Sequence, residues 1–365
     1  MNKVVISGTG LFTPPEKISN QELVSSFNIW VDQQNSHKKP IPPLQKSSTE
    51  FIKKASGVEN RYVINKSGIL DPNIMKPQVS ARKDDEPSIQ CEMALNAAEK
   101  ALAQANINAR EVDMILVACS CHQRSYPSIA TEVQHFIGAG GFAFDMNMAC
   151  SSATFALQVA FHAISMGSAT RALILNPEIT TTHMNFRDRD SHFIFGDACT
   201  AIVVEQKNLV TSDNTFKILD TYCRTQFSNN IRNNHGILTH CEPKGGTLDF
   251  FRQNGRKVFK EVCPQVIAHI TEQLESNHLS ASDMKRLWLH QANINMNQRI
   301  AKKILNRQPD NQDAPIILDQ FANTASAGSI IAFHKHSSDF HSGEKGIICS
   351  FGAGYSVGSV LLEKC

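Results

Sequence analysis

A cysteine between a predicted strand and a predicted helix is the first candidate for chemistry in this chain. Cys150 follows the apolar run at 142–147, which is typical of a buried strand, and precedes an apolar stretch of helical period that closes at Gly167. The unpaired N–H groups and the dipole of a helix N-terminus favour a thiolate. Cys150 is therefore a candidate nucleophile, although the chain has ten cysteines and a free cysteine is commonly a small buried hydrophobic residue.

The elements around Cys150 indicate an α/β fold that is built twice. From residue 88 onward strand and helix patterns alternate, which favours parallel strands covered by helices. We predict a duplicated, five-layered αβαβα arrangement with two stacked mixed sheets. The first half covers residues 1–205, with an insertion at about 31–88, and the second covers 206–365. Strands of the second half are expected at 216–222, 286–289, 315–318, 346–349 and 358–363, and its helices at 251–273, 295–305 and 327–340.

The duplication predicts which residues face Cys150. Asn323 lies at the strand-to-helix junction of the second half that matches the Cys150 junction, and His290 lies at the junction one unit earlier. A lone histidine is more often structural, and an asparagine before a threonine is most often a helix N-cap. The three residues occupy related junctions, however, so we expect Cys150, His290 and Asn323 to share one pocket where the halves meet.

Composition excludes several other classes of function. The net charge of +2 over 365 residues does not suggest a nucleic-acid partner. No charged leader with an apolar core and no apolar run of membrane-spanning length occurs, so we expect a soluble, cytoplasmic protein with reduced thiols. No motif calls for a metal or a cofactor.

Five short motifs occur in order along the chain: Ala149-Cys150-Ser151, Phe195-Gly196-Asp197, His290-Gln291-Ala292-Asn293, Asn323-Thr324-Ala325-Ser326-Ala327 and Phe351-Gly352-Ala353-Gly354 with Gly358-Ser359. With these motifs the chain resembles the β-ketoacyl-acyl-carrier-protein synthase III family of the thiolase superfamily, along nearly all its length outside residues 30–90. It most resembles an extended, β-ketodecanoyl-type subgroup whose suggested primers are medium-chain acyl-CoAs such as octanoyl-CoA. The resemblance implies a homodimer of subunits with a thiolase-like fold that acts in fatty-acid biosynthesis.

The resemblance also implies a decarboxylative Claisen condensation in two halves. Cys150 is expected to take an acyl group from acyl-CoA, with the oxyanion held by the backbone N–H groups of Cys150 and Ala353. Malonyl-acyl-carrier protein then loses CO₂, and His290 and Asn323 stabilise the enolate. Either imidazole nitrogen of His290 could be the donor.

Substrate contacts follow from the same resemblance, with departures. The family's tryptophan and arginine at the CoA nucleotide fall on Phe51 and Ala55, so an aromatic ring is kept and a cation is lost, while Arg189 matches the other face of the nucleotide. Phe195 is assigned to substrate binding, and Tyr126 is expected to close the primer pocket of the partner subunit.

An acidic carrier protein would need a basic docking surface. Five cations on predicted helices could form it, although ordinary solvated helix faces explain them equally well. The family's arginine just after the histidine motif falls on Asn295, which removes one expected contact. The five cations are Arg256, Lys257, Lys260, Lys302 and Lys303.

Other functions stay open at this point. One is a thiolase-fold condensing enzyme of another pathway, such as secondary metabolism or head-to-head acyl condensation, and another is acetyl-CoA-primed chain initiation. A degradative thiolase needs a second cysteine that the Gly352-Ala353-Gly354 loop lacks. A non-catalytic scaffold disagrees with the intact Cys150, His290 and Asn323. The insertion is either a lid over a longer acyl chain or a surface embellishment.

Overall fold

The computed structural model describes residues 3–236, 239–241 and 250–365. Its strands are β1 (Val4–Phe12), β2 (Glu16–Ser19), β3 (Asn60–Val63), β4 (Met114–Ala118), β5 (Phe142–Met146), β6 (Arg171–Glu178), β7 (Ala198–Gln206), β8 (Phe216–Ser228), β9 (Ile231–Arg232), β10 (Arg252–Gln253), β11 (Met284–Leu289), β12 (Lys345–Gly352) and β13 (Gly354–Lys364). Its α-helices are α1 (Asn20–His37), α2 (Thr49–Ser56), α3 (Lys66–Leu70), α4 (Ile89–Ala105), α5 (Ile129–Ile137), α6 (Ser152–Ser165), α7 (Gly255–Ser276), α8 (Ile294–Leu305), α9 (Leu318–Phe321) and α10 (Ala327–Lys335).

The main sheet arranges the strands of the two halves in the same order, except that the described residues of the second half form no strand at the place of β5. The first half contributes β5-β4-β6-β7-β1 and the second contributes β11-β12-β13-β8, with parallel pairing of β4 to β5 and β6 and of β11 to β12. The remaining neighbours in this sheet pair antiparallel. Two residue pairs between β1 and β8, Val5 with Lys217 and Ile6 with Phe216, join the two expected sheets into one mixed order of nine strands. The predicted boundary between the two halves of the chain, at residues 205 and 206, stays a prediction.

Three buried clusters define the layers around these strands. The central cluster packs α6 and α10 between strands of both halves and includes Leu157, Ile174, Ile330 and Ile348. A second cluster packs α4 and α5 on the outer face of the first half, and a third packs α7 and α8 on the outer face of the second. Strands of both halves cover α6, and this explains why the helix after Cys150 carries apolar residues on most of its sides.

The strand that we expected at 315–318 is absent from the structure. Leu318 begins the short helix α9, and the preceding backbone is held by a side chain instead of a neighbouring strand. Gln291 donates to the carbonyl of Pro315 at 3.1 Å and accepts from the N–H of Ile317 at 3.0 Å. Because an amide side chain satisfies these backbone groups, the segment does not need the hydrogen bonds of a neighbouring strand.

The insertion is more regular than its composition suggested. The helix α2 begins after Ser48, whose hydroxyl accepts from the N–H of Phe51, and ends at Gly57 in the left-handed conformation. Apolar residues of α1, α2 and α3 form a fourth cluster with Phe193 and Phe195. The insertion thus reaches the segment that precedes β7. Within the described residues, no helix combines the length and the apolar composition that crossing a membrane requires.

Candidate active site

Cys150 lies in a short 3₁₀ turn, Ala149–Ser151, between β5 and α6. The turn is fixed on both sides by side chains. Asn147 accepts from the N–H of Ala149 at 2.8 Å, and the Ser152 hydroxyl bonds to the N–H of Met148 at 2.8 Å. Ala149 has a φ of 47°, an uncommon value for alanine, so the backbone turns sharply just before the thiol.

The environment of the Cys150 thiol has two opposing effects on its pKa. Burial raises the pKa to about 12, and the negative charge of Glu178 acts in the same direction. The backbone N–H groups of Ala353 and of Cys150 itself interact with the sulfur and act to lower the pKa. The expected thiolate stabilisation by the helix start is therefore outweighed by burial. The two N–H groups expected to hold an oxyanion nevertheless lie together at the sulfur.

His290 follows β11 and is 2% exposed. Its N–H donates to the carbonyl of Cys349 at 2.8 Å, and its ring packs edge-on against Phe351 at a centroid distance of 5.3 Å. Burial lowers the pKa of the imidazole to about 4, although the carbonyl of Ala325 opposes this shift. At neutral pH the ring is therefore uncharged, with one nitrogen as donor and the other as acceptor. Nδ1 is buried and has no hydrogen-bond partner among the described residues.

Asn323 is fixed through its backbone and its side chain. Its N–H donates to the carbonyl of Ile194 at 3.0 Å and its carbonyl accepts from Gly196 at 3.1 Å, so it pairs with the segment before β7. Its side-chain oxygen accepts from the N–H of Ala325 at 2.9 Å. This bond identifies the side-chain oxygen of Asn323, so the NH₂ group is left as a hydrogen-bond donor.

These three residues line one cavity of about 220 Å³. Cys150 comes from the first half of the chain, and His290 and Asn323 come from the second. Aromatic and aliphatic side chains form most of the remaining wall, with Gly352 next to the thiol. The apolar residues that line it include Phe193, Ile194, Phe195, Phe251, Val258, Phe259, Val262, Met296 and Phe351. An apolar chain with a reactive carbonyl at one end fits such a site.

Of the expected substrate-binding residues, Phe195 lines the cavity, where its ring meets Phe251 edge-on at 4.8 Å. Phe51 and Arg189 lie outside that lining and contact each other. The Arg189 guanidinium lies 4.0 Å from the Phe51 ring centroid, and its Nε donates to the carbonyl of Lys46 at 2.8 Å. A nucleotide base would have to separate this pair to stack between them. Ala55 lies on the cavity wall without a charge.

Tyr126 is not part of the Cys150 cavity. It is 84% exposed and lines a separate, larger groove of about 1150 Å³ together with residues of the insertion, including Val79 and Arg82. Within one subunit the structure therefore does not bring Tyr126 to the thiol. The expectation for Tyr126 concerns a second subunit and stays a prediction.

The five expected docking cations are all exposed. Arg256, Lys257 and Lys260 occupy the first turns of α7, near Val258 and Phe259 of the cavity wall. Lys302 and Lys303 lie in the last turn of α8 and share a surface depression with Asn295 and Arg299. Among the described residues none of the five cations forms an ion pair.

Sequence reasoning missed several residues of this site. Phe251 and Met296 line the cavity. An apolar residue before or within a helix is common, so the sequence did not distinguish these two from ordinary core residues. Arg299 joins the basic residues of α8, and its guanidinium lies 5.4 Å from the ring of Phe259. Glu178 is the clearest omission. It directly follows a mostly apolar run at 172–177, and an acidic residue at the end of a buried strand is unusual. This signal was present in the sequence.

Comparisons with known proteins identify the family of this chain. Residues 144–226 match the family described as 3-Oxoacyl-[acyl-carrier-protein (ACP)] synthase III, and residues 274–364 match the C-terminal domain of that family. The chain is 53% identical over 349 residues to the beta-ketodecanoyl-[acyl-carrier-protein] synthase of Pseudomonas aeruginosa, covering 93% of this chain and 100% of the relative. It is 28% identical to a beta-ketoacyl-[acyl-carrier-protein] synthase III of Wolbachia pipientis wMel, with 100% of both chains covered.

Solved structures show the same fold. The crystal structure of 3-oxoacyl-[acyl-carrier-protein] synthase III from Aquifex aeolicus VF5 superposes with a TM-score of 0.77 at 25% identity and covers 99% of each chain. Together with the mixed sheet and its three helical layers, this likeness confirms the predicted α/β, thiolase-like fold class.

Proposed function

The chain belongs to the 3-oxoacyl-[acyl-carrier-protein] synthase III family, and from this premise we propose that it condenses an acyl-CoA primer with malonyl-acyl-carrier protein. The product is a β-ketoacyl-acyl-carrier protein and CO₂ is released. The observation that carries the proposal is the common cavity of Cys150, His290 and Asn323, in which the N–H of Ala325 holds the Asn323 side-chain oxygen and no described residue accepts from its NH₂ group.

The first half-reaction moves the acyl group to the enzyme. The sulfur of Cys150 attacks the thioester carbonyl, the bond from that carbon to the CoA sulfur breaks, and CoA leaves as the thiol with the proton that Cys150 gives up. The negative oxygen of the tetrahedral intermediate accepts from the N–H groups of Cys150 and Ala353, which already interact with this sulfur. Because the thiol is protonated at neutral pH, proton loss accompanies the attack.

The second half-reaction makes the nucleophile on the malonyl thioester. Cleavage of the bond to the carboxylate leaves its electron pair in an enolate, whose negative charge lies on the thioester oxygen. Neutral His290 and the Asn323 NH₂ group donate to that oxygen. The α-carbon then attacks the acyl-cysteine carbonyl, the carbon–sulfur bond breaks, and the Cys150 thiolate takes up a proton. A protonated imidazole is not required, which agrees with the lowered pKa of His290.

We further propose a medium-chain primer. The 53% identical relative is named for a β-ketodecanoyl product, which an eight-carbon primer and a two-carbon unit would give. The apolar cavity wall supports this choice, because each methylene group that meets such a wall contributes about 0.8 kcal/mol. We expect kcat/KM for octanoyl-CoA to exceed that for acetyl-CoA by at least ~10-fold, which is about 1.4 kcal/mol.

The primer is tested by steady-state kinetics with malonyl-acyl-carrier protein and acyl-CoAs of two to twelve carbons. An optimum at octanoyl-CoA supports the proposal. An optimum at acetyl-CoA would leave acetyl-primed chain initiation instead. A stable Cys150 adduct with no condensation onto malonyl-carrier for any primer would indicate a condensing enzyme of another pathway.

We propose that the protein works as a homodimer through the edge strand β5. This strand ends the main sheet, and its Phe142 and Phe144 are 43% and 39% exposed with parallel rings at 6.5 Å. A second copy would cover these rings, and Tyr126 of each copy would reach the primer pocket of the other. Light scattering should give twice the mass of one chain, and Tyr126→Ala should change the primer-length profile. A fully active monomer would reject both claims.

We propose that the exposed cations of α7 and α8 receive an acidic carrier protein. Lys302 and Lys303 line a surface depression that shares Phe259 with the cavity, and the other three cations lie on the same turns of α7 as Phe259, so a phosphopantetheine arm would enter past Phe259. Lys302→Glu combined with Lys303→Glu should raise KM for malonyl-carrier and leave acylation by acyl-CoA unchanged. Lys3→Glu combined with Lys207→Glu, at two exposed lysines outside α7 and α8, serves as the control of equal charge change. An unchanged KM for malonyl-carrier would mean that these cations are ordinary solvent-exposed residues with no role in docking.

A further inference from the structure

A buried carboxylate, Glu178, lies behind the cavity and has no part in the two half-reactions above. It ends β6 and is 1% exposed. Its Oε1 accepts from the N–H groups of Ser120 at 2.9 Å and Ser326 at 3.1 Å and from the Ser326 hydroxyl, and its Oε2 accepts from the Ser120 hydroxyl at 2.5 Å. One side chain therefore joins the loop after β4 to the start of α10, which belong to different halves of the chain.

The Ser120 side of this network reaches the nucleophile. The carbonyl of Ser120 accepts from the Asn147 side chain at 2.9 Å. Asn147 in turn accepts from the N–H of Ala149, the residue before Cys150. Displacement of Ser120 would thus move the turn that aims the thiol.

The Ser326 side reaches the other two residues. Ser326 directly follows Ala325, whose N–H fixes the oxygen of the Asn323 side chain and whose carbonyl lies beside the His290 imidazole. The Ser326 hydroxyl also lies 3.3 Å from the carbonyl of Ala118 at the end of β4. Displacement of Ser326 would move the donors that face the enolate oxygen.

We propose that Glu178 is a positioning residue that holds the Cys150 turn and the Asn323 turn at a fixed separation. The inference rests on the proposed function, because it concerns the residues of both half-reactions. Glu178 touches no substrate; it acts through Ser120 and Ser326. A misplacement of about 1 Å in such a site can cost ~10²-fold in rate.

The charge of Glu178 gives this role a signature that a purely structural residue would lack. Burial raises the pKa of the carboxyl to about 7, and the hydrogen bonds from Ser120 and Ser326 oppose that shift. The titratable groups on which it acts are the thiols of Cys119, Cys121, Cys150 and Cys199, and its charge raises the pKa of each. Ionisation of Glu178 therefore makes Cys150 harder to deprotonate.

Two substitutions separate position from charge. In Glu178→Gln the amide oxygen can keep both backbone N–H bonds, and the NH₂ group can donate to the Ser120 hydroxyl after that hydroxyl turns. The network stays and the charge is lost. In Glu178→Ala both are lost. Glu205→Gln, at a buried carboxylate of β7 outside the site, controls for removal of a buried charge, and circular dichroism checks that each variant is folded.

Activity gives the first readout. We expect Glu178→Ala to lower kcat by ~10²-fold with a KM for acyl-CoA that changes less than ~3-fold, and Glu178→Gln to recover most of kcat. Wild-type rates in a folded Glu178→Ala protein would overturn the proposal. So would a loss in Glu178→Gln as large as in Glu178→Ala, because the network alone would then be insufficient.

Alkylation gives a second readout that needs no substrate. The rate of Cys150 modification by iodoacetamide, mapped by peptide mass spectrometry, is followed from pH 6 to 9. Glu178→Gln should react at least ~3-fold faster than wild type at pH 8, because one unit of thiol pKa is about tenfold in thiolate. Equal profiles would contradict the effect of the Glu178 charge on the Cys150 thiol. The alkylation rate can be measured even if no acyl-CoA acylates the protein. A failure of acylation would contradict the proposed function and would leave this test of Glu178 in place.

Single serine variants decide the matter should Glu178→Ala fail to fold. Ser120→Ala should slow acylation of Cys150 more than CO₂ release, and Ser326→Ala should do the opposite. If each variant slowed both half-reactions equally, this would overturn the assignment of Ser120 to the Cys150 turn and of Ser326 to His290 and Asn323.

Discussion

A side chain at Gly352 would collide with Cys150. A Cβ atom built on Gly352 would lie 2.7 Å from the Cβ atom and 3.0 Å from the sulfur of Cys150, closer than carbon atoms pack in proteins. The loop of the second half therefore approaches the nucleophile as closely as a backbone can. This approach brings the N–H of Ala353, the next residue, to the sulfur.

Gly352→Ala should consequently impair acylation while the fold is kept. The added methyl group must displace Cys150 or the loop, which costs about 1–3 kcal/mol, and we expect acylation to slow by at least ~10-fold. The control is Gly140→Ala, because a Cβ atom there would meet nothing within 4 Å. Rates of acyl transfer from octanoyl-CoA, followed by intact mass, check this expectation. Equal rates in the two variants would refute the close approach.

Cys150 should be the residue that carries the acyl group. Incubation with an accepted acyl-CoA should shift the intact mass of the wild type and leave Cys150→Ala unshifted, because the Cys150 thiol lies beside the two N–H donors. Cys223→Ala, at a half-buried thiol of β8, should acylate as the wild type does. An adduct that persists in Cys150→Ala, or that maps to Cys199, would assign the nucleophile elsewhere.

His290 and Asn323 should serve CO₂ release more than acyl transfer. Asn323→Asp keeps the oxygen that accepts from Ala325 and replaces the free NH₂ donor with a negative oxygen. We expect this change and His290→Ala each to slow decarboxylation of malonyl-carrier by ~10²–10³-fold, and to leave part of the Cys150 acylation. Release of ¹⁴CO₂ measures decarboxylation and intact mass measures acylation of Cys150, with the surface change Asn96→Asp as the control. A wild-type rate of CO₂ release in either variant would assign different roles.

The pH dependence should reflect a neutral His290. The folded-state pKa of about 4 lies below the unfolded value of about 6.5, so the folded protein binds fewer protons between these values. The contribution of this residue to stability is therefore present above pH 6.5 and is lost as pH falls toward 4. It amounts to about 2 kcal/mol between pH 7 and pH 5.

Urea unfolding of wild type and His290→Asn at pH 7 and pH 5 measures this contribution. The free energy of unfolding should decrease more for the wild type than for the variant over this interval. CO₂ release by the wild type should show no inflection from His290 between pH 5.5 and pH 8. An inflection near 6.5 that disappears in His290→Asn would mean that the imidazole titrates in the folded protein and would contradict its burial.

Local patterns were sufficient to predict most of the elements and their order. Alternating strand and helix patterns, small residues at the turns and the position of Cys150 between β5 and α6 all follow from short-range preferences. The repeat of strand order was readable for the same reason, and it pointed to His290 and Asn323 as neighbours of Cys150. The strand expected at 315–318 failed because Gln291, 24 residues away from Pro315, satisfies that backbone instead.

Only the tertiary structure decided the electrostatics and the fine geometry of the site. The helix start suggested a lowered pKa for Cys150, but burial between the two halves, which no local pattern encodes, raises it. The contact of Arg189 with Phe51, the orientation of the Asn323 amide and the bridge of Glu178 between Ser120 and Ser326 join residues distant in sequence. Such contacts depend on how complete layers pack. Residue type alone determines what a side chain can do, and packing determines which atoms it meets.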